Sequence, residues 1–525
     1  SFTVKINSDY LRFFGLIVKN NDNKNIINGE YKDEYGVVKN WRALYKMPLK
    51  KEQNNKKENA EKNLEGKIWL PNKSYGWDSL PKQQNIYFKN ATIWTNEKEG
   101  IIKNSNMIIY DGKILYVGEK EPEEEIIKNK TFEIVDVKGK HITSGIIDEH
   151  SHIAIHRGVN EGSQAVTAEV SIGDVINSDD INIYRQLSGG VTSAQLLHGS
   201  ANPIGGQSAI IKLKWGLGPE EMKFKGAGKF IKFALGENVK QSNWGDDEKY
   251  RFPQSRMGVE QVFYDAFWRA KQYEKKWENY NSLPFRLKKK TTPPREDLEL
   301  NVLLEILNKK RFITCHSYVQ SEINMLMKVA DSMNFKINIF THILEGYKVA
   351  DKLKEHGAGG STFSDWWAYK FEVNDAIPYN AALLSKMGVL TAINSDDAEM
   401  GRRLNQEAAK AIKYGNLKEE EAWKLVTLNP AKMLKIDDKV GSIKIGKDAD
   451  IVVWSGNPLS MYSKAEKTFI EGKCFFSIEN DKKLRERNKN EKSRIIQIML
   501  KDDSPNKQKP KFEKQKLYHC DTLEP

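Results

Sequence analysis

Between residues 141 and 437, apolar strand-like runs alternate with stretches of helical spacing, and nothing else in the chain restricts the fold as strongly. The runs are ITSGIIDEHSH, GVTSAQLL, QSAIIKLK, KFIKFAL, RFITCHSY, KINIFTHI, GAGGSTFS and GVLTAINSDD, eight in all. QSEINMLMKVADSM (320–333) and NQEAAKAIKYG (405–415) carry apolar residues at helical spacing between them. Strands that alternate with helices imply an α/β fold with a parallel sheet, and eight such units imply a closed (β/α)8 barrel. The gap between the fourth and fifth runs (236–300) is long, with a helical stretch at 258–280 and a Pro/Lys loop. It reads as an insertion or lid.

The flanks read differently. In 85–140, NIYFKNATIWTN, SNMIIYDGKILYVGE and FEIVDVKGK alternate with period two, and Asp111-Gly112 is a hairpin signal. Strand-rich sequence returns in 438–478, as VGSIKIGKDADIVVWSGNP (440–458) and AEKTFIEGKCFF (465–476). One small β-sandwich assembled from both segments is expected. Residues 1–84 form a polar extension with a low-complexity stretch at 48–64, and KIWLPNKSYGWDSLP (67–81) suggests an arm lying on a larger body. Residues 479–525 begin helical and continue as a tail.

With 39% hydrophobic residues in 525, most of the chain should fold. No run approaches 18 uncharged apolar residues, so no membrane span is expected. No signal peptide is visible, and Ser1 is not an initiator Met, so the chain reads as a processed or excised piece. The net charge of +12 comes from scattered lysines mixed with Glu and Asn, the composition of solvated linkers, and no nucleic-acid partner is expected. Cys315, Cys474 and Cys520 lie too far apart for a thiolate metal cluster. No glycine-rich phosphate motif is present, which argues against nucleotide binding.

The chemistry sits at the carboxyl ends of the predicted barrel strands, where barrel enzymes place their active sites. His150 and His152 in GIIDEHSH are one residue apart on a strand and so point the same way. Two imidazoles side by side suit a divalent metal. His316 ends RFITCHSY, His342 ends KINIFTHI, and Asp396 lies where VLTAINSDD runs into two carboxylates. Asp397 can cap the next helix, which leaves Asp396 for the barrel axis. Lys232, in KFIKFAL, would be buried, at a cost of several kcal/mol unless its charge is lost or paired. Carbamylation by CO2 is one way to lose that charge, and it would create an anionic ligand able to bridge two metals.

Over residues 85–478 these ordered motifs resemble the amidohydrolase superfamily, nearest its imidazolonepropionase-like and prolidase-like branch. TLNPAKML (427–434) and VGSIKIGKDADIVVW resemble its post-barrel helix and its return into the β-sandwich. The resemblance implies that Lys232 matches the carboxylated bridging lysine of binuclear members. It also implies a divalent metal, one ion or two, with Zn2+ expected and Mn2+ or Fe2+ compatible with the ligands. His150, His152 and Asp396 would hold the more buried ion, and His316 and His342 the second. The expected reaction is hydrolysis of a C–N amide bond, in a cyclic amide or a small dipeptide-like substrate, by a metal-activated hydroxide with Asp396 as general base and acid. A deaminase or another hydrolase on the same site is the alternative, and so is a non-catalytic barrel subunit. Tyr318 is a candidate oxyanion donor, and Arg157, His198, Gln207, Tyr318 and Arg402 are candidate contacts to a small-molecule substrate. LLHGSANPIGGQSA and FALGENVKQSNW resemble large secreted bacterial relatives in which the hydrolase follows a β-propeller. A periplasmic or secreted location and a longer parent chain are expected on that basis, and homo-oligomers are expected because superfamily members often associate.

Overall fold

The computed structural model describes residues 1–6, 9–19, 25–33, 35–44, 66–156, 158–240 and 251–501. The low-complexity stretch 48–64 and Arg157 lie outside the described residues. Two compact units are distinguished: residues 1–78 with the described residues from 479 onward, and residues 79–478. In the first, β1 (Phe2–Ile6), β2 (Asp9–Lys19), β3 (Asn25–Lys32) and β4 (Val38–Leu44) form an antiparallel meander in chain order. Its helix, Ile478–Lys501, places the Arg487 guanidinium 4.3 Å above Trp69, and Gln497 exchanges hydrogen bonds of 2.6 Å with the Tyr10 backbone.

The second unit begins with β5 (Ile86–Trp94), β6 (Ile101–Tyr110), β7 (Lys113–Gly118), β8 (Glu133–Asp136) and β9 (His141–Ser144). The middle contributes β10 (Ile146–Ser151), β11 (Val191–Leu196), β12 (Ile204–Gln207), β13 (Ala209–Lys212) and β14 (Lys229–Ala234). It continues with β15 (Arg311–Ser317), β16 (Ile339–His342), β17 (Gly359–Thr362) and β18 (Thr391–Ile393). Last come β19 (Ile451–Trp454), β20 (Ala465–Ile470) and β21 (Lys473–Ser477).

One eight-stranded sheet has the order β21-β20-β19-β9-β5-β6-β7, with β8 beside β5. Strands from before and after the middle segment therefore share a sheet, with β19 antiparallel to β9 and β9 parallel to β5. The Asp111-Gly112 hairpin joins β6 to β7 with both residues at positive φ (47° and 77°), as a two-residue type I′ turn requires. Ile86, Phe88, Ile93, Met107, Ile142, Ile451, Val453 and Phe469 are buried together along it. Each such side chain contributes about 1.5–3 kcal/mol on leaving water. Lys212 of β13 pins the barrel to this region. Its ammonium lies 2.6 Å from Asp448, 3.0 Å from Asp450 and 3.2 Å from Glu471.

In the middle segment, β14 to β18 are parallel neighbours, and β12 joins the free edge of β14 antiparallel. β10, β11 and β13 form a separate three-stranded sheet. The backbone ladders thus do not close into the single eight-stranded ring expected from the sequence. Two local causes are visible. QSAIIKLK, read as the third barrel strand, is divided between β12 and β13, and β13 runs antiparallel to β11, with Ala194 opposite Ile211. A parallel neighbour needs a crossover long enough for a helix, and residues 197–208 contain the strand β12 but no helix, so the chain returns in reverse. At the other seam, residues 425–426 enter between β10 and β18, where Ile147 N–H donates to Val426 O and Ile393 N–H to Leu425 O, both at 2.9 Å. At their carboxyl ends the first and last strands meet directly, Asp396 N–H donating to His150 O at 3.1 Å.

The helix expected in the 236–300 stretch spans Arg256–Asn281, capped by Ser255 Oγ, which accepts from Gly258 N–H at 3.2 Å. Its buried face packs on the sheet, with Phe263 5.4 Å from Phe233 and Phe267 stacked 4.2 Å from Phe335. Arg256, at its first turn, reaches Glu237 and Glu322 at 2.9 Å and Glu372 at 3.5 Å. Burial lifts the Glu322 carboxyl from 4.5 to about 7, despite Arg256. The folded chain therefore holds a proton there that the unfolded chain releases. That stabilisation is complete below pH 4.5 and is lost as pH rises through about 7. Stability measured against pH should fall across this window in the parent relative to Glu322→Gln, and parallel curves would refute the assignment.

Candidate metal centre

Each side chain of the site is carried by a strand end, where a rigid ladder fixes its position. His150 closes β10 with His152 just beyond it, Lys232 lies in β14, His316 in β15 and His342 at the end of β16, and Asp396 follows β18. The structure brings all six together. Asp396 Oδ1 is 3.4 Å from His150 Nε2 and 3.2 Å from His152 Nε2, and Oδ2 is 3.7 Å from His342 Nε2. Lys232 Nζ is 3.1 Å from His150 Nε2. The His316 and His342 rings meet edge to face at 4.9 Å. Donor atoms of His150, His342 and Asp396 lie within 4.8 Å of one another.

The hydrogen bonds around the rings decide what the cluster can hold. His152 Nδ1 is 2.8 Å from Leu197 O, a carbonyl that can only accept, so Nδ1 carries the proton. Burial lowers the pKa of His152, although Asp396 opposes the shift, and the ring is neutral. Its Nε2 therefore turns a lone pair towards a carboxylate oxygen 3.2 Å away. Two acceptors at that distance repel unless a cation or a proton lies between them. His150 is arranged in the same way, its Nδ1 3.0 Å from Thr341 Oγ1 and its Nε2 facing the Lys232 ammonium. Burial, then Lys232 and the neighbouring imidazoles, keep its pKa well below the usual value. His316 is also held neutral by burial, and both its buried ring nitrogens have no hydrogen-bond partner among the described residues. Burial alone would raise the Asp396 carboxyl, but the surrounding groups, His342 first and then His152 and Lys232, outweigh it and hold the group well below the carboxylate range. Neutral imidazoles, those of His150 and His152 with Nδ1 anchored to the protein and the Nε2 lone pair turned inward, together with one ionised carboxylate, are the donor set of a divalent cation site.

The backbone is strained at the same place. His342 (φ 66°), Ile343 (φ 32°) and Asp396 (φ 49°) occupy left-handed conformations that side chains with a Cβ rarely adopt. Each costs about 1–3 kcal/mol and persists only where the surroundings impose it. Asn380 helps to do so, donating to Ile343 O and Thr362 Oγ1, both at 2.9 Å.

The other residues singled out from sequence take varied positions. Tyr318 is buried, edge-on to His316 at 4.5 Å, with its hydroxyl 3.2 Å from the Tyr369 hydroxyl. His198 has both ring nitrogens engaged by backbone, Nδ1 with Gly199 O and Nε2 accepting from Glu161 N–H, both at 2.8 Å. Gln207 donates to Ala168 O and Glu169 O, and Arg402 pairs with Glu399. Sequence reasoning did not single out Thr341, whose hydroxyl also donates to buried Glu149 at 3.2 Å, or Asp148, which accepts from Ser395 Oγ at 2.5 Å. It also passed over Tyr369 and Lys370, which follow the Trp366-Trp367 pair in the chain.

Comparison with known proteins agrees with this geometry. The model of the Amidohydrolase family matches residues 373–479. The crystal structure of an amidohydrolase from Thermotoga maritima MSB8 superposes with a TM-score of 0.66 at 34% identity, covering 75% of this chain and 100% of that one. Amidohydrolase tasK of Hapsidospora irregularis is 28% identical over 427 residues, 74% of this chain and 43% of that protein. An imidazolonepropionase of Brucella anthropi is 36% identical over 84 residues, 15% of this chain and 20% of that protein. The chain thus spans less than half the length of these curated relatives. With the whole length of the Thermotoga protein matched at 34% identity, and an imidazole–carboxylate cluster at the strand ends, the chain belongs to the amidohydrolase superfamily.

Proposed function

We propose that this chain is a metal-dependent hydrolase that cleaves a C–N amide bond in a cyclic amide or a small dipeptide-like substrate. The observation that carries the reading is the lone pair of neutral His152 facing the Asp396 carboxylate at 3.2 Å, inside a ring of buried imidazoles. His150, His152 and Asp396 would hold one ion, and His316 and His342 a second, with Lys232 as a bridging ligand if carboxylated. Zn2+ suits this donor set. A divalent cation supplies Lewis acidity at the scissile carbonyl and lowers the pKa of a water.

The remaining steps belong to the protein. Asp396 is ionised and lies at the centre of the cluster, so it can take a proton from the attacking water and return it to the leaving nitrogen. The Tyr318 hydroxyl would donate to the carbonyl oxygen as it becomes negative. Strands β10, β14, β15, β16 and β18 would hold the ligands in a single arrangement.

Metal analysis of the folded, zinc-supplemented protein is the first test. One to two equivalents are expected, lost on His150→Ala. Less than about 0.2 equivalents would exclude the reading, because folded ligand sites of this type retain zinc at neutral pH. A panel of dipeptides, N-acyl amino acids, cyclic amides and aminopurines then separates amide hydrolysis from deamination.

A further inference from the structure

Two consecutive residues of β10 reach the same hydroxyl. His150 Nδ1 is 3.0 Å from Thr341 Oγ1, and that hydroxyl donates to Glu149 Oε2 at 3.2 Å. Neighbouring side chains of a regular strand point to opposite faces. Here the ladder between β10 and β11 is irregular from Asp148 to Ser151, and Glu149 and His150 both reach β16. Glu149, Thr341 and Ser361 of β17 are all buried. Burial pushes the Glu149 carboxyl up to about 8, although Ser361 opposes the shift. Oε2 can accept in either protonation state, with any proton carried on Oε1.

A hydroxyl has one proton. Spent on Glu149, it leaves the Thr341 oxygen only lone pairs to offer His150, so the ring keeps its own proton on Nδ1. Thr341 alone imposes no such choice, because a hydroxyl donates or accepts as its neighbours require. His152 needs no such help, since its Nδ1 meets a backbone carbonyl, Leu197 O, directly. The Lys232 ammonium favours the same His150 tautomer from the Nε2 side, but a cation held by Nε2 would take that position.

We propose that Glu149 is a positioning residue of the metal centre. Acting through Thr341, it keeps an acceptor on His150 Nδ1–H, holds the Nε2 lone pair towards the ion, and so raises the zinc affinity of the site. This rests on the metal-dependent hydrolase reading above.

The test measures zinc affinity of the full chain by competition with a chromogenic chelator. Glu149→Met keeps the length of the side chain and removes the acceptor. It should weaken zinc binding by about 10–100-fold, the usual cost of losing a partner behind a metal-bound histidine. Thr341→Val should cost a similar factor, and Thr341→Ser, which retains the hydroxyl, should stay within about twofold of the parent. In the Thr341→Val background Glu149→Met should lose most of its effect, because the carboxyl then has no path to the ring. Glu149→Leu replaces the Met variant if the latter folds poorly. A merely structural role for Glu149 predicts the same loss with or without the Thr341 hydroxyl. That additivity, or a Glu149→Met affinity within about twofold of the parent, overturns the proposal. Amide hydrolysis is assayed in parallel. Coupled loss of zinc affinity without turnover of any amide would end the hydrolase reading and leave Glu149 in this role. Turnover with additive losses would do the reverse.

Discussion

Asp396→Asn should lower kcat/KM by about three orders of magnitude, the upper part of what one positioned acid–base group supplies. Asparagine keeps the shape of the side chain and the Asp396 N–H bond to His150 O, so the fold should survive. What disappears is the one carboxylate among the imidazoles of His150, His152 and His342. Bound zinc should fall with the activity, because the site loses its charged donor. The pH profile separates the two roles. If added zinc restores metal content, a remaining deficit in kcat reports the proton transfers alone. A variant that stays within tenfold of the parent on a good substrate would remove Asp396 from the mechanism.

Lys212→Met should destabilise the chain by about 3–5 kcal/mol, the usual consequence of deleting one member of a buried ion cluster. Lys212 is 2% exposed, and it balances Asp448, Asp450 and Glu471, which belong to the return segment after the barrel. Without it, Asp450 is buried with no neighbouring cation among the described residues, and burial already raises its pKa despite Lys212. The loss should therefore shrink as pH falls and the stranded Asp450 carboxyl takes up a proton, and adding Asp450→Asn should recover part of it. Denaturant unfolding at pH 5 and pH 8 reads both effects. A loss below about 1 kcal/mol, or one independent of pH, would mean that the cluster contributes little beyond surface pairing.

The strand ends that carry the ligands were legible because each breaks an apolar run with a polar residue, and that pattern survives in a single sequence. His150, His316 and His342 stand out for this reason. Strand direction was not legible. QSAIIKLK has the apolar pattern of a buried strand in either sense, and only the missing crossover makes β13 antiparallel. Nor could sequence reveal residues 425–426 between β10 and β18, because hydrogen-bond partners across a seam are not written locally. The same limit explains the second layer of the site. Thr341 matters because the ladders place it beside His150, 191 positions away. His198 shows the converse, since a polar residue in a loop after a strand can spend both nitrogens on backbone groups, one in its own loop and one 37 positions away.

The bond from Asp396 N–H to His150 O gives the barrel an unusual mechanical property. Below it the first and last strands are spread by an intruding segment, so the joint between the beginning and the end of the middle segment is fastened chiefly at its rim. The atoms that would grip a cation straddle that same fastening, His150 on one side and Asp396 on the other. Ion capture would therefore act as a clasp across the seam between β10 and β18.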